Sequence, residues 1–256
     1  MADKNSTFSF KMSVEQLTEF LKKIKDLTTI DNRIIMSVDS NNVLLFSFVG
    51  ETFKNIHAFK NYIYETEKIF TLKEEIKENI FLIVKDGKKF YKKLENLIDY
   101  DKEIKGKISV NDENFVNLIT FDNDKLPIKI IGSDPIAIGK DISIDDINLL
   151  MDTDNSLFNF NLPKLDFQKI KKMGMIENEP NSVLYINIDN NKLTIGETLW
   201  QINICDVESE NNTMAFPKKY FNTINPTDSI LIYVFENFLL CKYDDYNLMI
   251  LMETSI

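Results

Sequence analysis

The order of residues in the first half of this chain returns in the second, and that constrains the fold more than any single motif. Lys88-Lys89-Phe90-Tyr91-Lys92-Lys93-Leu94 is answered 130 residues later by Lys218-Lys219-Tyr220-Phe221-Asn222-Thr223-Ile224. Two lysines, two aromatics, two polar residues and an aliphatic recur in order. Upstream, Leu21-Lys22-Lys23-Ile24 is matched by Ile170-Lys171-Lys172-Met173 and Val38-Asp39-Ser40-Asn41 by Ile188-Asp189-Asn190-Asn191, at offsets of 149 and 150. Phe121-Asp122-Asn123 and Tyr243-Asp244-Asp245 close the two series. The fall in offset places about 20 added residues in the first half. The charged, helix-prone stretch from Glu65 to Asn79 has no counterpart and is the natural insertion.

Each half reads strand, helix, strands, helix, strands. Thr7 to Met12 alternates, Ser13-Val14-Glu15-Gln16 matches a capping box, and Leu17, Phe20, Leu21 and Ile24 fall at helical spacing. Arg33 to Val38 and Val43 to Val49 flank the turn residues Asp39-Ser40-Asn41-Asn42. Further strands are expected at 53–64, 80–84, 104–110, 115–121 and 127–131, with a helix from Lys88. In the second half the expected strands are 157–162, 183–188, 193–204, 230–235, 238–242 and 247–252. Helices are expected over 164–175 and 217–224, each opening beside a proline whose missing N–H costs nothing there. The fold class is α+β, two similar sheet-dominated domains, 1–133 and 155–256. The aspartate-rich stretch 134–154 reads as a solvated linker between them.

The formal charge is −10, which ordinarily argues against a polyanionic partner. The four helical segments 14–27, 87–97, 164–175 and 216–225 nevertheless carry 13 Lys and 5 acids, a net of +8, which leaves −18 for the rest. Within the helix at Lys88, Phe90, Tyr91, Leu94, Leu97 and Ile98 fall on one side and the lysines on the other. Two readings stand: lysines make good solvated helix faces, or the helices share a surface that meets a polyanion. The first helix favours the former, since Glu15, Glu19 and Asp26 bring its net charge to zero.

No site for chemistry emerges, and neither catalytic residue, cofactor nor metal is expected. His57 is the single histidine and has no visible partner. The seven glycines form neither a P-loop nor a dinucleotide fingerprint. Asp152-Thr153-Asp154 begins like a calcium loop but sets Leu157 where the turn glycine belongs. Asp99, Asp101, Asp122, Asp124, Asp244 and Asp245 lie near predicted turns, where aspartate is favoured locally. Cys205 and Cys241 sit in apolar runs without metal or redox spacing and are expected as free thiols. MADKNSTFSF lacks a basic segment followed by an apolar run, and no stretch reaches the length of a membrane span, which predicts an intracellular, cytoplasmic chain with no membrane partner.

Two similar domains with basic helices on an acidic chain of this length resemble the DNA sliding clamps. Ser37-Val38-Asp39-Ser40-Asn41-Asn42-Val43-Leu44-Leu45 is similar to the strand-turn-strand after the first helix of the archaeal, eukaryotic and tailed-phage clamps. Leu239 to Met252 is similar to their closing strand pair. The resemblance implies a polymerase processivity factor: a homotrimeric ring of six domains, helices lining the hole, encircling duplex DNA without sequence specificity. A three-domain bacterial-type clamp is expected to be longer. It further implies a DNA polymerase and a clamp loader ATPase as partners. The DNA-facing residues implied are Lys22, Lys23, Lys25, Lys88, Lys89, Lys92, Lys93, Lys169, Lys171, Lys172, Lys218 and Lys219. A groove for partner peptides falls on Val38, Val43, Ile136, Ile138, Phe238 and Leu251. Subunits are expected to join through edge strands, 127–131 of one chain against 199–204 of the next.

The 65–79 insertion, the aspartate-rich linker and a pore relying wholly on lysine depart from that family. The rival reading is a processivity factor that forms no ring, or an acidic viral structural or DNA-mimic protein. The Lys-, Asn- and Ile-rich wording is that of an AT-rich genome such as a phage's, in which case the compartment is the host cytoplasm.

Overall fold

The computed structural model describes residues 6–51, 55–98, 103–122, 127–133, 144–175 and 182–252, and for 144–146 the backbone alone. These residues form two compact units, the first from residues up to 51 with 61–133, the second from 55–60 with 144–252. The first runs β1 (Ser6–Ser13), α1 (Val14–Leu27), β2 (Ile34–Val38), β3 (Asn42–Gly50), β4 (Ile56–Glu65, of which 56–60 count with the second unit), α2 (Thr66–Ile69), β5 (Thr71–Leu72), β6 (Ile80–Val84), α3 (Gly87–Glu95), β7 (Glu103–Val110), β8 (Val116–Asp122) and β9 (Ile128–Ile131). The second opens with α4 (Ile144–Met151) and continues β10 (Phe158–Pro163), α5 (Lys164–Gly174), β11 (Val183–Asp189), β12 (Lys192–Glu197), β13 (Trp200–Asp206), β14 (Asn212–Pro217), α6 (Lys218–Phe221), β15 (Ser229–Val234), β16 (Phe238–Tyr243) and β17 (Tyr246–Leu251).

Once α2, β5 and α4 are set aside, the two units have the same elements in the same order. Their sheets agree as well: β1-β7-β8-β9 matches β10-β15-β16-β17, and β4-β3-β2-β6 matches β13-β12-β11-β14. In both, the opening strand crosses into the sheet built by the unit's later strands, so neither sheet forms without the other half. The repeat seen in the sequence is therefore a repeat of topology.

Helix α1 forms as its sequence dictates. The Ser13 hydroxyl accepts from the Gln16 N–H at 3.2 Å while the Gln16 side chain accepts from the Ser13 N–H at 2.7 Å, satisfying two helix-end donors. Leu17, Phe20, Leu21, Ile24 and Leu27 then bury one face, each worth about 1.5–3 kcal/mol. Phe167, Ile170 and Gly174 form the matching stripe of α5, each 150 residues beyond Leu17, Phe20 and Ile24. Burial thus aligns the helices at 150, one residue away from the 149 suggested by Leu21-Lys22-Lys23-Ile24. In both units the two helices meet through an edge-on Phe pair, Phe20 on Phe90 at 6.3 Å and Phe167 on Phe221 at 5.2 Å.

Several elements differ from the expectation. The insertion is not a charged helix: α2 makes one turn, β5 pairs with β1 at Phe10↔Leu72 and Lys11↔Thr71, and Ile69, Phe70 and Ile76 are buried. Its apolar residues find a sheet edge to cover, and that outweighs helix propensity. Within the stretch read as a linker, the helix α4 forms with Ile147 buried; residues 134–143 lie outside those described. The run 193–204 is two strands, β12 and β13, and β14 went unread because Asn212-Thr213 begins it with polar residues. Helix α6 stops after Phe221, with Thr223 and Ile224 closing tight turns onto Tyr220 and Phe221.

Candidate nucleic-acid interface

Of the described helices, α3 carries the most exposed lysines. Asp86 caps it, its carboxylate accepting from the Lys89 N–H at 2.9 Å and the Asn32 amide at 3.1 Å. Those bonds, the backbone one first, hold its pKa below the usual carboxylate value. Phe90, Leu94 and Leu97 are buried, which turns Lys88, Lys89, Lys92 and Lys93 to solvent. Among the described residues none of the four is ion-paired to a carboxylate. Tyr91 donates to Glu95 at 2.8 Å, and that carboxylate pushes the phenol's pKa up.

The other helices offer less. On α1, Lys22 and Lys25 are exposed, but Lys22 is ion-paired to Glu19. Lys23 is buried, its ammonium over the rings of Tyr62 and Tyr64 at 5.6 and 5.4 Å. On α5, Lys169 pairs with Asp166 at 2.7 Å and Lys172 is open. Lys171 is partly buried and donates to the carbonyls of Asn222 and Ile224 at 3.0 and 3.2 Å; burial lowers its pKa. On α6, Lys219 is exposed and lies over the Tyr220 ring at 4.9 Å. Lys218 is 4% exposed and donates to Glu197 Oε1 at 2.7 Å and to the Gly174 carbonyl at 2.9 Å.

Nine of the twelve expected lysines are therefore presented to solvent; Lys23 and Lys218 are corrected, being buried against aromatic faces and a carboxylate, and Lys171 is half-buried against helix-end carbonyls. Two further lysines stand beside α3. Lys85 and Lys129 are exposed and, with Lys89 and Lys93, rim a recess between α3 and β9. They lie outside the helices, where a search of helix faces does not reach.

The residues expected to line a peptide groove fall on both units. Val38 and Val43 are cross-strand partners beside the β2–β3 turn and both are wholly buried, so they belong to the first unit's core. Ile136 and Ile138 lie outside the described residues. Phe238 and Leu251 face each other across β16 and β17, Phe238 stacked on Phe235 at 4.2 Å and Leu251 38% exposed. The strand edges are as expected in kind: β9 and β13 are each the last strand of their sheet. Ile131 and Leu199, at or next to those strands, are 78% and 80% exposed, more than any other large apolar residue described.

Nothing assembles a reaction centre from the described residues. His57 is exposed, and no three His, Cys, Asp or Glu side chains come together. Asp244 accepts from the Thr227 N–H at 3.1 Å, a local turn role, while Asp99, Asp101 and Asp124 lie outside the described residues. Cys205 and Cys241 are free thiols, and complete burial pushes the Cys241 thiol up to about 12. No described helix is long and apolar enough to cross a membrane.

Neither a family model nor a curated protein matches the sequence. The fold does match solved structures. The DNA polymerase III beta subunit of Borrelia burgdorferi superposes with a TM-score of 0.68 at 14% identity, over 96% of this chain and 65% of that one. The Helicobacter pylori beta clamp bound to a DNA ligase peptide gives 0.65 at 11%, over 99% and 66%. In a PCNA2–PCNA3 complex from Sulfolobus tokodaii the match is 0.59 at 11%, over 96% of this chain and 99% of the other. The chain thus has the fold of the DNA clamps, and it spans just under two thirds of the bacterial subunits, 65% and 66% of their length.

Proposed function

We propose that this chain is a DNA sliding clamp, a processivity factor that tethers a polymerase to duplex DNA and performs no chemistry of its own. The observation that carries the reading is a clamp fold made of one topology used twice, with four open lysines on α3 of a chain whose net charge is −10. Phosphates attract such lysines whatever the sequence, while acidic surface elsewhere keeps nucleic acid off. The match to the archaeal subunit over 99% of its length supports three copies in a six-domain ring.

Closure is proposed through β9 of one copy and β13 of the next, with Ile131 and Leu199 covered at the seam. Partner proteins, a polymerase and a loader ATPase among them, are proposed to dock an apolar peptide on Phe238 and Leu251. The Helicobacter neighbour, solved with a ligase peptide, supports a peptide-binding role for this fold. The site of action is proposed to be intracellular, wherever replication takes place.

Light scattering at several concentrations tests assembly, and retention on nicked circular DNA against the same DNA linearised tests encirclement. A mass near three chains with release on linearisation is the expected result. A stable monomer, or equal retention on both forms, overturns the ring.

A further inference from the structure

We infer that the grip on DNA is uneven: α3 carries most of it, so a ring of three chains holds its duplex at three strong points instead of six or twelve equivalent ones. The inference rests on the clamp reading and adds to it which lysines do the holding.

The asymmetry follows from counting charges that are open and not already neutralised. Helix α3 has four, Lys88, Lys89, Lys92 and Lys93, all exposed and none ion-paired among the described residues. Helices α1, α5 and α6 have one each, and α2 and α4 have none. On α1, Lys22 is paired with Glu19 and Lys23 buried, which leaves Lys25. On α5, Lys169 is paired with Asp166, and Lys164 and Lys171 are half-buried and bonded to carbonyls, which leaves Lys172. On α6, Lys218 is buried with Glu197, which leaves Lys219.

The surroundings widen the gap. Lys85 and Lys129 extend the α3 cluster across to β9, where Lys93 reaches the Lys129 carbonyl at 3.4 Å. Around Lys172 the open surface of α5 instead mixes apolar side chains, Leu165, Met173 and Met175, with polar ones. Adjacent like charges sum to one strong local field that condensed phosphates relieve, whereas isolated lysines act singly. The cluster's contact with β9 also sets each strong point beside the strand proposed to close the ring.

The test removes the same number of charges from both sets in the full chain. One variant carries Lys88→Gln, Lys89→Gln and Lys92→Gln; the other carries Lys25→Gln, Lys172→Gln and Lys219→Gln. Retention on nicked circular plasmid is measured against salt, after light scattering and thermal melting have established that both variants assemble and fold as the parent does. The α3 variant is expected to lose about tenfold or more in retention and most of the salt slope, the other about twofold or less. Equal losses overturn the uneven grip and leave the clamp reading standing. No loss in either variant overturns both.

Discussion

Lys88 and Lys218 occupy the same place in the repeat, one turning outward and the other inward. In the second unit the inward turn is prepared by two neighbours. Gly174, at the end of α5, leaves room, since a Cβ there would lie 3.1 Å from Lys218 Cδ, and Glu197 on β12 supplies the countercharge. At the corresponding places, 150 residues earlier, the first unit has Ile24 and Ser47. Ile24 fills the space, and Ser47 donates to the Arg33 carbonyl at 2.7 Å and offers no charge. An ammonium has nothing to enter there, so it stays in water. The same dipeptide thus becomes core or surface through residues far from it in the chain, and its first lysine is open to solvent in one copy and not in the other.

The largest expected effect breaks the pair on the inward side. Glu197→Leu strands Lys218 in the core and is expected to cost about 3–5 kcal/mol in urea unfolding, whereas Lys88→Met changes stability by less than about 0.5 kcal/mol. Equal effects would show that the two lysines do not differ in environment. Next, Gly174→Ile copies the first unit into the second without removing the lysine; overpacking is expected to cost about 1–3 kcal/mol in the same assay. An unchanged midpoint would mean that Lys218 leaves its site freely. Smaller still, the double variant Glu197→Leu with Lys218→Met replaces both charges by apolar groups and is expected to return to within about 1 kcal/mol of the parent. A double variant as unstable as Glu197→Leu alone would assign the loss to shape and not to charge.

The last expectation concerns pH. Buried Cys241 in β16 corresponds to Ile119 in β8, so only the second unit carries a thiol in this position. Folded, the thiol stays protonated to about 12, while in the unfolded chain it ionises near 9.0. Between those values the folded state binds more protons, so stability falls as pH rises above about 9. Cys241→Val is expected to flatten that part of the stability profile, which unfolding from pH 8 to 11 measures. An unchanged slope would assign the alkaline loss to other groups. In the folded protein at pH 8, half-exposed Cys205 is expected to react with a thiol reagent well before Cys241 does.

The sequence made the plan of the fold legible because its repeat is local: a capping box, a helical stripe and a turn each announce themselves within a few residues. It made less of the site legible because burial of a lysine depends on distant partners. Nothing near Lys23 announces the rings of Tyr62 and Tyr64, and nothing near Lys218 announces Glu197. Val38 and Val43 show the same limit from the other side. A hairpin turn read as surface carries apolar flanks that both face inward, and only the sheet stacked beneath decides that. The division of 193–204 was hidden because Thr198-Leu199 turns the chain without a glycine or proline in the turn itself.

The short strand β5 adds to the edge of a finished sheet and leaves the pairing of β1 with β7 continuous from Ser6 to Ser13. The fold can therefore lengthen at this point without breaking that pairing. The equivalent place in the second unit is the turn between β13 and β14, residues 207–211, which is still short. A reporter peptide grafted there would enter by a route the molecule has already taken once.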